Sequence, residues 1–518
     1  MWGWRPGIAA AVAVLLLGVL PTGLRAQAHE VLQRAAGLVQ EGRLEEAGQL
    51  AQQALSDPEV GAAAHSVLGT IRLRQQRLAE AARLLEEAVR RDGRLLGAQL
   101  SLAQVYTLQD REGEALQVFR RVLGLDPSNL VARLALARSE AEKGKYRESL
   151  EVAGPVVDSF RQSPEGLSIL AMDYVMTGDT DAARGLVEDA RRLGEVPHSW
   201  TIGFASLLAG GGLAPEAIDV LERAAEKDPD SYELSFALGA AYLKLGAPSW
   251  ALESYDRALR IEPDSITALR QAARVAERDG QLERSLSYWA RARRLAPDAP
   301  DILLGFGRVC LRMDLLDDAE PALTRAAELR PGEIPYQYTL AVAKVGKRQF
   351  EEAQRLIEPL VEAHPDDAQL QYALGSVLYI QGHLTEATTP LRESLRLEPD
   401  HLTARYYLAL VARDQGNDAE AIERLEELLQ QHPDHAPSCE ALGSLLLKTR
   451  RYAEAERYLR RAVHLEPESV RANYQLGLLL ARTGRQEAAD AQLARASSLR
   501  EDEESTSRLQ LRLLDPDP

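Results

Sequence analysis

His432 and His435 stand three residues apart, the tightest histidine spacing in the chain. Two such side chains hold a metal only when further ligands converge on them. Here they bracket only Pro433 and Asp434, and no metal site or cofactor is expected. Gly210-Gly211-Gly212 is followed by no Lys-Ser/Thr pair and preceded by no strand pattern, so it is not a phosphate loop. Asp and Glu pairs are plentiful but fall on polar helix faces and in turns, where charge is ordinarily solvated. The arginines are more specific. Arg270, Arg274 and Arg278 recur four apart, which sets them on one face of a helix. Arg308 and Arg312 repeat two of those positions 34 residues later, and Lys244 stands 34 residues before Arg278. At the same 34-residue step follow Tyr338, Tyr372, Tyr406, Glu440 and Tyr474. Guanidinium groups fork onto carboxylates, and tyrosine pairs apolar area with a polar tip. This is chemistry for holding a ligand. No catalytic residue is expected, and the chain is not read as an enzyme.

A 34-residue step also organises the elements that must carry these side chains. In the stretch Tyr232 to Ser265, Leu238, Tyr242 and Leu245 recur at helical spacing, and so do Ala251, Tyr255, Ala258 and Leu259. Gly246 to Ser249 is the turn between two helices, and Pro263, lacking an amide proton, stops the second. Prolines stand at 229, 263, 297, 331, 365, 399, 433 and 467, each 34 residues after the last. Extended in both directions, the frame yields 14 units from Ala28 to Glu503. The eighth position of every unit is Gly or Ala, from Ala35 to Gly477, and the twentieth is Ala or Ser, from Ala47 to Ala489. Small residues there let the two helices of a unit approach closely.

Leu238-Gly239 with Tyr242, then Ala251, Tyr255 and Pro263, resembles the tetratricopeptide-repeat (TPR) pattern over more than nine-tenths of the chain. The resemblance implies an all-α fold, an α-solenoid wound as a right-handed TPR superhelix of about 14 helix-turn-helix repeats. It also implies a concave groove lined by positions 5, 9 and 13 of each first helix. Those positions hold Lys244, Arg270, Arg274, Arg278, Arg308, Arg312, Tyr338, Tyr372, Tyr406 and Tyr474. The partner implied is a protein or peptide, acidic or extended, and the role a scaffold or assembly factor like the TPR-only proteins of the bacterial cell envelope. The resemblance also admits a non-catalytic recruiting subunit of an envelope enzyme or a polysaccharide and glycosyltransferase system. The O-GlcNAc transferases carry an asparagine ladder at the sixth position, whereas this chain has Ala237, Gln271, Gly305 and Thr339 there.

The ends depart from the frame. Arg5 precedes an apolar run from Ile8 to Leu20, and small residues follow at Ala26 and Ala28. Thirteen helical residues span roughly 20 Å, short of the roughly 30 Å hydrocarbon core, so residues 1–26 are expected to be a signal peptide. The TPR array is assigned to residues 27–503, and 504–518 to a short capping helix, with Ser505 as its N-cap, and an acidic tail. The expected location is exported, periplasmic or extracellular, with no integral membrane segment once the signal is removed. A net charge of −17 argues against general affinity for nucleic acid. Cys310 and Cys439 lie four units apart, too far to pair within one chain. The least regular stretch, Gly154 to Pro215, is expected to form a weak joint, with a kink at Gly154-Pro155 and another at Pro359.

Overall fold

A computed structural model describes residues 24–506 of the 518-residue chain. Among the described residues every regular element is helical, and the helices pair into fourteen hairpins on the 34-residue frame. The fold is an all-α solenoid of repeats. The chain forms two compact units that divide between Ile261 and Glu262, seven hairpins in each. That division lies well past the irregular Gly154–Pro215 stretch, which belongs wholly to the first unit. The leader expected at 1–26 falls almost entirely outside the described residues, and the helix Leu24–Gln40 begins within its last three positions.

The Tyr232–Leu245 and Pro248–Ile261 helices show how each hairpin is made. Ser231 caps the first helix by accepting from the Leu234 amide at 3.3 Å. Gly246 ends it in the left-handed region at φ +79°, where a side chain would be strained. Pro248 then occupies the first turn of the second helix, where its missing N–H costs nothing. Between the helices, a Cβ built on Gly239 would lie 2.6 Å from the Tyr255 ring, so only glycine admits that ring. Alanines at the eighth and twentieth positions are sealed as well, Ala35 and Ala47 among them.

In the first unit, the Gly154-Pro155 pair does break its helix. The Tyr146–Ala153 helix ends, Gly154–Val156 forms one 3₁₀ turn, and Val157–Arg161 resumes as a short helix. The Phe350–Ala363 helix runs through Pro359 without interruption. At the broken site the proline follows Gly154, and glycine has the least helix propensity of the non-proline residues. The irregular stretch is nevertheless well packed. Phe160, Leu167, Leu170 and Phe204 are fully buried in one continuous core, and the Trp200 indole donates to the Pro164 carbonyl at 2.7 Å.

In the second unit, Cys310 and Cys439 are free and buried. The last helix runs Gln486–Thr506, so Ser505 lies inside it rather than ahead of a separate capping helix. The remainder of the expected capping segment lies outside the described residues. Among the described residues no helix is long and apolar enough to cross a membrane.

Candidate functional site

In the second unit each first helix packs on its own second helix, those after Ile266–Arg278 pack also on the second helix before them, and in general consecutive first helices meet. The second helices of consecutive repeats lie further apart. The first helices therefore make a continuous surface, and side chains from neighbouring repeats meet on it.

The arginines gather there. Arg270, Arg274 and Arg278 come from the Ile266–Arg278 helix, and Arg308 and Arg312 from Pro300–Arg312 beside it. Arg274, Arg278 and Arg312 are exposed, and Arg270 and Arg308 half-buried. Two carboxylates organise the group. Glu277, only 8% exposed, points back between the helices, with Oε1 at 3.5 Å from Arg308 Nη2 and 3.6 Å from Arg312 Nη1. Arg312 Nη1 also donates to the Glu277 carbonyl at 3.2 Å. Asp301 accepts from Arg270 at 3.2 Å and from the Tyr336 hydroxyl at 2.6 Å. Burial first, and then Asp301, raises the Tyr336 hydroxyl to about 12. The set thus holds five guanidinium groups against two carboxylates, with Arg274 and Arg278 turned to solvent. Lys244 is exposed on the first unit.

The tyrosines do not form an exposed ladder. Tyr338 is 0% exposed, and its hydroxyl accepts from Gln369 Nε2 of the next first helix at 2.9 Å. Tyr372 is buried beneath the His401 ring at 4.9 Å between centroids. Tyr406 is half-buried against His435 at 5.3 Å. Burial pushes the Tyr406 hydroxyl up to about 12. Tyr474 alone of the four is open, at 41%. The physical reason is succession: each position-5 ring is covered by the residue that opens, or nearly opens, the next first helix. His435 is accordingly engaged with Tyr406 and with Ser438 Oγ at 2.7 Å.

Sequence reasoning passed over several groups on this surface. Tyr379 donates to Asp414 at 2.6 Å, and Arg413 donates to Asp414 at 2.6 Å. Burial opposes ionisation of Asp414, but Arg413 and Tyr379 hold its carboxyl below the usual range. Glu440 takes the position-5 place of a tyrosine. It is buried, its Oε1 lies 3.2 Å from Arg471 Nε, and burial pushes its carboxyl up. The break in the tyrosine series at Glu440 was the available signal. Glu277, one residue before Arg278, announced itself by nothing but its place on the inner face. No cluster of three or more metal-ligating side chains occurs among the described residues.

The TPR pattern matches residues 32–94, 67–129, 202–266, 270–334 and 440–502, together more than half of the chain. The chain belongs to the tetratricopeptide-repeat family. A second family pattern, the anaphase-promoting complex (cyclosome) subunit 3, matches residues 346–428 of this TPR protein. No curated protein sequence matches the chain. Among solved structures, YrrB, a TPR protein with an unusual peptide-binding site, is 20% identical over 36% of this chain and 95% of its own, with a TM-score of 0.33. The Cut9-Hcn1 hetero-tetramer of the APC/C gives 14% identity over 89% of this chain and 98% of its own, at TM-score 0.41. MamA from Desulfovibrio magneticus RS-1, from residue 41 to its end, gives 20% identity over 33% of this chain and 96% of its own, at TM-score 0.32. An array of TPR repeats with no catalytic domain is in general a non-catalytic protein-interaction scaffold.

Proposed function

We propose that this TPR protein binds an acidic, extended segment of a partner protein along the first helices of its second unit and serves as an assembly scaffold. One observation carries the reading: five arginines stand on two adjacent first helices, with Arg270, Arg308 and Arg312 paired to Asp301 and Glu277, and Arg274 and Arg278 exposed. In a chain of net charge −17 this locally positive surface contrasts with its surroundings and would steer an acidic partner. Carboxylates are matched by the planar fork of arginine in particular.

A 20-residue polyglutamate peptide with a fluorescent label is a direct probe. Wild-type protein is expected to bind it with an affinity that falls as salt is added, because screening at 0.15 M acts over about 8 Å. Arg274→Glu combined with Arg278→Glu should weaken binding at least tenfold, about 1.4 kcal/mol, with a flatter salt dependence and unchanged helical content. Arg308 is left intact because a glutamate there would face the buried Glu277. Equal binding by wild type and variant would remove the arginine surface from the function.

The scaffold is further proposed to act outside the cytoplasm, in a cell envelope. The support is the Arg5 and Ile8–Leu20 pattern with Ala26 and Ala28 after it. N-terminal sequencing of the envelope fraction is expected to give a mature chain starting near Gln27 or His29. An intact Met1 in the cytosol would refute the placement.

A further inference from the structure

The tenth position of the first helix is apolar in nearly every repeat, as at Val105, Val275, Val309, Val377 and Leu479. Two adjacent repeats break the rule, with Ser139 and Asp173. Asp173 lies on the Pro164–Thr177 helix at 0% exposure, inside the core that joins Phe160, Leu170 and Phe204. Opposite it on the Tyr146–Ala153 helix is Ser149, one of only two serines at a twentieth position that is otherwise alanine. Ser149 Oγ is the one group set against the carboxyl as a hydrogen-bonding neighbour, and the two Asp173 oxygens meet no other partner among the described residues. The facing helix is the one cut short at Gly154-Pro155. A buried carboxyl thus stands against that interrupted helix.

We infer that Asp173 makes the packing of Tyr146–Ala153 on Pro164–Thr177 pH-dependent, tight when its carboxyl is neutral and loosened when it ionises. An isolated carboxylate in an apolar core is costly, and the group answers by holding its proton or by drawing in water. Burial, opposed only by Ser149, pushes this carboxyl up to about 7. The folded value lies above the ordinary carboxylate range, so the folded state binds the extra proton. Its stabilisation is full at acidic pH and is lost as pH rises through about 7.

The charged groups on the elements packed around this helix are engaged elsewhere or exposed. On Leu130–Glu142, Arg138 pairs with Glu165 and Glu140 with Lys143 at 3.3 Å. On Tyr146–Ala153, Arg147, Glu148 and Glu151 are exposed. Arg161 of the short helix lies 3.7 Å from Asp189 of Thr180–Arg192, whose Arg184 and Arg191 reach Glu216 at 2.6 Å and Asp219 at 2.7 Å. His198, at the start of His198–Gly210, lies 3.7 Å from Asp228. The device belongs to the first unit.

Hydrogen exchange of the full chain at pH 5.5 and 8.0, corrected for intrinsic rates, tests it. Peptides within 140–180 are expected to lose protection about tenfold at pH 8.0, while peptides around Gly443 stay level. Asp173→Asn should abolish the difference. Should that variant fold poorly by circular dichroism, Asp173→Leu, which restores the apolar residue found in the next repeat at Leu207, should do the same. Equal protection of wild type at both pH values, or a difference that survives in the folded variant, would overturn the inference.

Discussion

Gly375→Leu is expected to disrupt the second unit locally and leave the first untouched. A Cβ at this position would stand 2.6 Å from Leu391 Cγ and 3.2 Å from the Leu391 backbone nitrogen. The side chain can give way only by leaving a core in which it is fully buried, and the backbone cannot give way at all without parting the Ala368–Ile380 and Leu384–Leu397 helices. Overpacking of this kind costs about 1–3 kcal/mol, and the remaining carbons of leucine add to it. Because each repeat rests mainly on its neighbours, the loss should spread one repeat either way. Hydrogen exchange would show lowered protection across residues 340–430 and none before residue 200. A single all-or-none loss through both units would contradict the picture.

Tyr338→Ala and Tyr474→Ala, at the same place in their repeats, are expected to act on different properties. Tyr338 is one of the largest fully buried side chains. Removing its ring should cost about 3–5 kcal/mol, the range for truncating a buried aromatic. Tyr338→Phe should cost only about 1 kcal/mol, for the hydrogen bond from Gln369. Tyr474→Ala should stay within about 0.5 kcal/mol, as surface substitutions do. Urea denaturation of the full chain, followed by exchange in the segment 334–380, separates the three. Similar losses from Tyr338→Ala and Tyr474→Ala would mean that position 5 is equally packed throughout.

The hairpins were legible in the residues because the constraints that make them are local. Position 8 meets a side chain sixteen residues on, as Gly375 meets Leu391 and Gly443 meets Leu459. A requirement of that reach is written into every 34-residue step. Turn glycines such as Gly246 and stop signals such as Pro263 are more local still. The solenoid of fourteen repeats, its register and its small-residue contacts were therefore open to sequence reasoning, as was the break at Gly154-Pro155.

Exposure on the inner surface was not, because it depends on what the following repeat lays over each side chain. Tyr338, Tyr372 and Tyr406 share a position with Tyr474, yet Gln369, His401 and His435 cover the first three. Tyr474 belongs to the fourteenth repeat, and no later first helix follows it among the described residues. Glu277 likewise gains its meaning only when Arg308 and Arg312 arrive from the next repeat. The burial of Asp173 is a decision of the same kind, made by packing between repeats that differ in residue while agreeing in pattern.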